Sequence, residues 1–260
     1  METLAELTGD VDAVAEVLAR DQSSAYQFVR IAELYRKAGR YGDALAWVEK
    51  GLALHGGSDS RLLEAAAEEY HRAGRGADAV RIAWDAYDNS PALRTYRQLA
   101  EQATRAGLWP DWHDKAIPLL RERIAKGTRA PARGRSSQWA VQGPDGSTLV
   151  EVLLYEGEVE LAWAEASVAG CRRELWLELA RRREGEHPLE AIPIWQGEIE
   201  RVIDAKKNQA YAEAVDLIVR VRRLLIAADR EAAFPPYVAR LRKTHKPKRN
   251  LMKLFDQYQW

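Results

Sequence analysis

Two stretches of the chain repeat each other and decide the fold: "IAELYRKAGRYGDALAWVEKGL" at 31–52 and "AAEEYHRAGRGADAVRIAWDAY" at 66–87. A tyrosine, a glycine and an alanine recur between them at a spacing of 35 residues: Tyr35 and Tyr70, Gly39 and Gly74, Ala44 and Ala79. A third, weaker copy, "QLAEQATRAGLWPDWHDKAIPLL" at 98–120, places Gly107 33 residues after Gly74. A unit of about 34 residues with this pattern indicates a tetratricopeptide-like pair of helices.

The recurring positions explain why each copy should form a helical hairpin. Gly39, Gly74 and Gly107 fall where the first helix ends, in a left-handed conformation that favours glycine. Small residues let the paired helices approach closely, and Pro91 falls where a helix must stop. The expected core positions are Phe28, Ile31, Ala32, Tyr35, Ala44, Val48 and Gly51 in the first copy, Leu63, Ala66, Ala67, Tyr70, Ala79, Ala83 and Ala86 in the second, and Tyr96, Leu99, Ala100, Ala103, Trp112, Ala116 and Leu119 in the third.

The repeat register breaks after the third copy, because the next comparable glycine, Gly157, lies 50 residues beyond Gly107. The segment 126–147 is rich in Gly, Pro, Ser and Arg, which indicates a surface loop or flexible linker. Helical patterns resume after it, including "STLVEVLLY" at 147–155, and no stretch alternates with the period of two typical of a half-buried strand.

The sequence therefore predicts an all-α protein, a right-handed α-α superhelix of tetratricopeptide-like units. We expect N-terminal repeats over 1–125, a basic loop or linker over 126–147, and C-terminal helical repeats with basic capping helices over 148–260.

Composition excludes several classes of protein. Lys plus Arg and Asp plus Glu each total 39, so the net charge is zero and gives no general reason to expect a polyanionic partner. The chain has one cysteine, Cys171, too few for an intramolecular disulfide or a thiolate zinc site. It lacks a secretory signal pattern and any apolar run of about 18–20 residues. We expect a cytoplasmic protein with no membrane partner.

Five landmarks in order extend the pattern beyond generic repeats: "SSAYQFVRIAELYRKAGRYGDALAWVEKGL", "SRLLEAAAEEYHRAGR", "LWLELARRREGEHPLEAIPIW", "NQAYAEAVDLI" and "YVARLRKTHKPKRNLMKLFD". Together they resemble the C-terminal helical region of bacterial SWIM zinc-finger proteins, over nearly the whole chain. The resemblance implies the helical fold. It also implies a functional context, because such zinc fingers mediate DNA or protein contacts and occur in chromatin-type ATPases as well. The family's CxC…CxH segment is missing from this sequence, so its metal function does not carry over and we expect no cofactor.

The most regular polar feature is a glutamate in each repeat, followed four residues later by a cation: Glu33 and Lys37, Glu68 and Arg72, Glu101 and Arg105. Residues i and i+4 share a helix face, so each pair can meet. In a tetratricopeptide-like array these positions face the concave side. One interpretation is a charged groove that receives an extended peptide or a partner helix. The other is a row of solvated ion pairs.

Two basic segments are candidates for phosphate contact, through Arg129, Arg133 and Arg135 in the loop and Lys243, Lys246, Lys248 and Arg249 near the C-terminus. A simpler interpretation of the first segment is a solubilising linker. The second segment fits two short capping helices with a polar outer face, because apolar residues recur at helical spacing on both sides of Pro247: Val238, Leu241, Leu251, Leu254 and Phe255.

No catalytic motif is visible, neither a Gly-rich phosphate cradle nor GxSxG, and the five histidines are scattered. Cys171 precedes two arginines, which can lower a thiol pKa, but it lacks an obvious general base. Five tryptophans at helical spacing are expected in the core: Trp47, Trp84, Trp163, Trp176 and Trp195. The predicted function is a non-enzymatic scaffold that docks a protein partner. The alternative is an accessory subunit of a nucleic-acid-processing or chromatin-type ATPase system, with nucleic acid as partner.

Overall fold

The computed structural model describes residues 10–57, 59–127 and 145–260. Over these ranges the chain forms fourteen α-helices and one 3-10 turn, Glu231–Ala233, and no strand. The helices are α1 Val11–Leu18, α2 Ala25–Lys37, α3 Tyr41–His55, α4 Ser60–Arg72, α5 Gly76–Asn89, α6 Leu93–Arg105, α7 Trp109–Gly127, α8 Ser147–Glu156, α9 Val159–Ala169, α10 Arg173–Arg183, α11 Pro188–Asp204, α12 Asn208–Ala227, α13 Phe234–Thr244 and α14 Arg249–Gln257. The all-α, helical-repeat prediction is confirmed.

The chain divides into two compact units, residues 1–123 and 124–260. In the first unit the three sequence copies form the hairpins α2–α3, α4–α5 and α6–α7. Gly39, Gly74 and Gly107 follow the first helix of each hairpin, with φ angles of 76°, 73° and 71°. Residues that carry a Cβ atom rarely adopt this left-handed backbone conformation. Glycine therefore stands at the position where the repeat requires it.

Sixteen of the predicted core positions of the first unit are buried, and five are only half-buried: Leu63, Ala86, Ala100, Trp112 and Leu119. Every expected core position in the first copy is buried. In the second copy Leu62 is fully buried while Leu63 is only half-buried, so the core leucine is the neighbour of the expected one. The reason is the helical phase, since Leu62 shares a face with the buried Ala66 and Leu63 faces the opening between hairpins.

The tryptophan prediction is right for Trp195 alone, which is 2% exposed. Trp47, Trp84, Trp163 and Trp176 are only half-buried. They pair with other rings at the edge of the core: the ring centroids of Phe28 and Trp47 are 5.9 Å apart, those of Trp84 and Trp112 5.1 Å, and those of Trp163 and Trp176 5.4 Å. A large indole fills the seam between two helices without being fully enclosed.

In the second unit α8 packs against α9 and α10 against α11, and the long α12 packs against α11. The C-terminal segment forms two helices, α13 and α14, separated at Pro247 as predicted. Leu241, Leu251 and Phe255 are fully buried against the rest of this unit.

The predicted limits of the loop need a correction at both ends. Helix α7 continues through Lys126 and Gly127, and α8 already begins at Ser147. The helical hydrogen-bonding pattern therefore extends into the segment that composition assigned to a loop. The remainder of that prediction, residues 128–144, lies outside the described residues.

Candidate functional site

The first unit contains a cavity of about 300 Å³ between α4, α5 and α6. Helix α4 lines the cavity with two pairs of residues one turn apart, and α5 lines it with three alanines and Ile82. The lining residues are Leu63, Glu64, Ala67, Glu68, Ala79, Ile82, Ala83, Ala86, Gln98, Glu101 and Gln102. The floor is therefore apolar and made of small side chains, and the polar groups come from the two flanking helices, α4 and α6.

Two side-chain contacts join α4 to α6 beside this cavity. The Arg105 guanidinium donates to both oxygens of Glu68, at 2.5 and 3.3 Å. The His71 Nε2 lies 2.9 Å from the Gln102 Oε1. Each contact connects the second repeat to the third, so the two repeats that line the cavity are joined by side-chain contacts.

The electrostatic character of the cavity is acidic. Among the described residues that line it are three glutamates and neither a lysine nor an arginine. The hydrogen bond from Arg105 holds the pKa of Glu68 below its ordinary value of 4.5. Glu64 and Glu101 form no ion pair within the described part of the chain. Two carboxyl groups beside an apolar floor thus remain available to a ligand.

The predicted pairing of each glutamate with the cation four residues later is wrong. Glu68 binds Arg105 of the next repeat, while Arg72 binds the buried Glu69 at 2.6 Å. Packing of α4 beside α6 brings the Arg105 side chain to Glu68, and a two-point guanidinium–carboxylate contact is favoured over a single i,i+4 contact.

Of the predicted partner-binding residues, some lie at the cavity and others lie away from it. Glu68 and Glu101 line the cavity, and Arg105 is bound to Glu68 at its edge. Arg72 does not line the cavity and forms its ion pair with Glu69. Glu33 and Lys37 are exposed on α2, in the preceding repeat, and Glu33 lies 3.9 Å from Arg36 instead of contacting Lys37.

A second repeating contact was missed in the sequence. Arg40 lies over the Tyr35 ring at 4.7 Å, binds Asp43 at 2.7 Å and reaches Asp12 of α1 at 2.6 Å. The equivalent residues of the next repeat repeat this geometry, with Arg75 over Tyr70 at 4.8 Å, Asp78 at 2.7 Å and Glu49 of the preceding hairpin at 2.8 Å. The spacing of 35 between the two arginines was the available signal.

Lys248 was predicted to contact phosphate, but its ammonium group is bound within the protein. Its side chain is 18% exposed, and its ammonium donates to the Asp204 carboxylate at 2.8 Å and to the Ile203 carbonyl at 3.3 Å. Lys248 therefore attaches the capping helices to α11. Lys243, Lys246 and Arg249 are exposed. Arg129, Arg133 and Arg135 lie outside the described residues.

The remaining candidates for chemistry are the thiol of Cys171 and the side chains that could hold a metal ion. Cys171 is 1% exposed, and burial raises its thiol pKa to about 12, although the two arginines that follow it could have lowered the pKa. Burial prevails because Arg172 points to Glu151 at the surface. Residues 10–57, 59–127 and 145–260 hold no cluster of three His, Cys, Asp or Glu side chains that fits a metal ion. None of the helices over the same ranges has both the length and the apolarity to cross a membrane.

Comparison with known proteins identifies no family. No model of a protein family matches the chain. No curated protein matches it either. The resemblance to SWIM zinc-finger proteins therefore stays a prediction from sequence.

Two solved structures are similar in part. The C-terminal part of a TPR repeat-containing protein from Cytophaga hutchinsonii is 17% identical, with 96% of this chain and 97% of that chain covered, at a TM-score of 0.37. A circular tandem repeat protein with novel repeat topology and enhanced subunit contact surfaces is also 17% identical, with 100% of this chain and 59% of that chain covered, at a TM-score of 0.18. At these scores the assignment of a helical-repeat fold rests on the helices of this chain itself.

Proposed function

We propose that the chain is a non-enzymatic helical-repeat scaffold whose first unit docks a segment of a protein partner in the cavity between α4, α5 and α6. The observation that carries this proposal is the cavity itself, an apolar floor of alanines bordered by unpaired carboxyl groups. We further propose that the docked segment combines an aliphatic side chain with a neighbouring lysine or arginine.

The floor of the cavity accounts for the aliphatic part of this proposal. Ala67, Ala79 and Ala83 are buried and leave space where larger side chains would fill it. Leu63 and Ile82 remain half-buried at its sides. An inserted leucine, isoleucine or methionine side chain would bury apolar surface there, at about 25 cal/mol for each Å² removed from water.

The carboxyl groups account for the cationic part. Glu64 and Glu101 lie on opposite flanking helices, α4 and α6, so a cation on either side of the inserted residue can pair with one of them. Charge complementarity of this kind selects partners and orients them more than it adds affinity. An acidic segment would meet repulsion from both sides.

A displayed library of random peptides of about twelve residues tests the proposal, because such a segment spans a groove in an extended conformation. Selection on the wild-type protein alone should enrich sequences that place lysine or arginine beside leucine, isoleucine or methionine, and the Ala86→Trp variant, which fills the cavity, is kept for the binding test. Ala86 is half-buried at the cavity, so an indole there can fill the space without entering the core.

Calorimetry on the best selected peptide separates the two parts of the proposal. Ala86→Trp should abolish binding, whereas the double variant Glu64→Gln with Glu101→Gln should weaken it about 2- to 30-fold, since exposed ion pairs contribute about 0.2–1 kcal/mol each. The control, Glu16→Gln with Asp216→Asn, removes two exposed carboxylates outside the cavity and should bind normally. Equal binding by the wild type and Ala86→Trp would rule out the cavity as the docking site.

A further inference from the structure

A surface of the second unit, separate from the cavity, carries an unusual density of cations. Two segments meet there: residues 204–208, which connect α11 to α12, and residues 246–250, which connect α13 to α14. We call this surface the basic junction. Its ten residues contain one acid, Asp204, and five bases: Lys206, Lys207, Lys246, Lys248 and Arg249.

Specific side-chain contacts hold the two segments together. Lys248 bridges to Asp204 at 2.8 Å, and the Asn250 amide donates to the Asn208 side-chain oxygen at 2.9 Å. Beneath them the buried His245 contacts Glu200 at 2.6 Å. The position of the basic junction is therefore fixed by the fold, and the cations of both segments are presented on one surface.

The single acid of the basic junction forms its ion pair with Lys248. Asp204 is engaged by Lys248, whose hydrogen bond holds the pKa of Asp204 below its ordinary value of 3.8. Lys206, Lys207, Lys246 and Arg249 are exposed, and none of the four forms an ion pair with a carboxylate of the described residues. Four like charges close together repel each other, which a polyanion relieves.

We propose that the basic junction binds the phosphate backbone of nucleic acid, with Lys206, Lys207, Lys246 and Arg249 as the residues that contact phosphates. Asn208 and Asn250 add amide groups of the kind that hydrogen-bond to phosphate and sugar oxygens. Helices α12 and α14 also begin there, and neither has a side-chain cap on its first N–H groups, which adds partial positive charge.

The composition of the surface favours nucleic acid over a membrane. The basic junction contains no large apolar side chain. A helix or loop that lies on a membrane needs apolar side chains to insert between the headgroups, in addition to its cations. Four exposed cations from two segments suit a backbone with a repeated charge, which neutralises several of them at once.

Fluorescence anisotropy with the full chain tests the proposal, using a labelled DNA duplex of about 20 base pairs and a single strand of the same length. The wild type should bind at about 50 mM salt. If four phosphates are contacted, the affinity for the duplex should fall roughly 100-fold between about 50 and 200 mM salt. Absence of binding to both probes at about 50 mM salt would overturn the proposal.

Variants locate the binding on the molecule. The quadruple variant Lys206→Gln, Lys207→Gln, Lys246→Gln and Arg249→Gln should weaken binding at least about 10-fold and flatten its salt dependence, since each lost phosphate contact lowers the slope by about one. The matched control removes four exposed cations outside the basic junction and should bind normally: Arg20→Gln, Arg94→Gln, Arg223→Gln and Arg230→Gln. Equal weakening in both variants would overturn the assignment to the basic junction.

Two further arms complete the test. If circular dichroism shows that the quadruple variant loses helicity, the pairs Lys206→Gln with Lys207→Gln and Lys246→Gln with Arg249→Gln replace it, and each should lose part of the affinity. Vesicles of phosphatidylcholine and phosphatidylserine provide the alternative source of phosphate. Binding to vesicles that depends on the four residues, without binding to DNA, would show a membrane surface instead and contradict the proposal.

Discussion

Gly51 shows how much a single residue decides in this fold. It lies in α3, where a Cβ atom would be 2.8 Å from the Phe28 Cβ and 3.0 Å from the Leu62 Cδ1. The absence of a side chain lets α3 approach both α2 and α4, and Phe28 and Leu62 fill the space completely, each 0% exposed. The close contact between neighbouring repeats therefore depends on this glycine.

We predict that Gly51→Ala destabilises the protein by about 1–3 kcal/mol, because the added methyl group overpacks a filled core. Gly42→Ala in the same helix is the control. A Cβ at Gly42 has nothing within 4 Å, so this change should be neutral or slightly stabilising through helix propensity. Urea unfolding of both variants measures the difference, and a Gly51→Ala variant as stable as Gly42→Ala would contradict the predicted overpacking.

Elements of the second unit are joined by buried polar contacts as well as by apolar packing. Glu198 of α11 is 6% exposed and accepts hydrogen bonds from Arg173 of α10 at 2.8 Å and from Arg201 at 2.6 Å. Burial by itself would raise the pKa of Glu198, but the two arginines outweigh burial and hold the pKa below its ordinary value of 4.5. The ionised carboxylate therefore stabilises the α10–α11 hairpin.

We predict that Glu198→Gln lowers the free energy of unfolding at neutral pH by about 1.5–3 kcal/mol, the contribution of hydrogen bonds to a charged group. Because the folded-state pKa is depressed, this contribution is complete above the unfolded-state pKa and is lost as pH falls through the folded-state pKa. Wild type and Glu198→Gln should thus approach each other in stability as the pH falls below the ordinary value of 4.5 and through the depressed folded-state pKa. Urea unfolding against pH measures this, with the exposed Glu213→Gln as control; a constant difference down to low pH would contradict it.

The whole molecule has zero net charge, yet its charges are unevenly distributed. The cavity of the first unit has two unpaired carboxyl groups, and the basic junction of the second unit has four unpaired cations. A sum over the sequence cancels these surfaces, whereas a ligand that approaches either one meets a field of a single sign.

We predict that the two binding activities can be abolished separately. Glu64→Gln with Glu101→Gln should weaken binding of the selected peptide and leave DNA affinity unchanged, and the quadruple variant of the basic junction should do the reverse. The physical reason is that the two residue sets belong to different compact units and present charges of opposite sign. Anisotropy with both labelled ligands measures each activity in each variant, and a variant that loses both would contradict the separation.

The sequence by itself determined the hairpins, because their signals are local. A glycine at the end of each first helix and an alanine seven residues before it recur every 33 to 35 residues, and the first two copies share a tyrosine one turn before the glycine. These positions depend on backbone conformation and side-chain size, which a sequence states directly. The break at Pro247 between the two capping helices is local in the same way.

Only the tertiary structure decided which charges are free. Glu68 pairs with Arg105, 37 residues away, and Lys248 pairs with Asp204, 44 residues away. Lys206 and Lys207, which no motif indicated, come to lie beside Lys246 and Arg249 because Asn250 bonds to Asn208 across 42 residues. A helical period predicts neighbours on one helix, but the choice among several cations for one carboxylate depends on distance and geometry between helices, which packing alone sets.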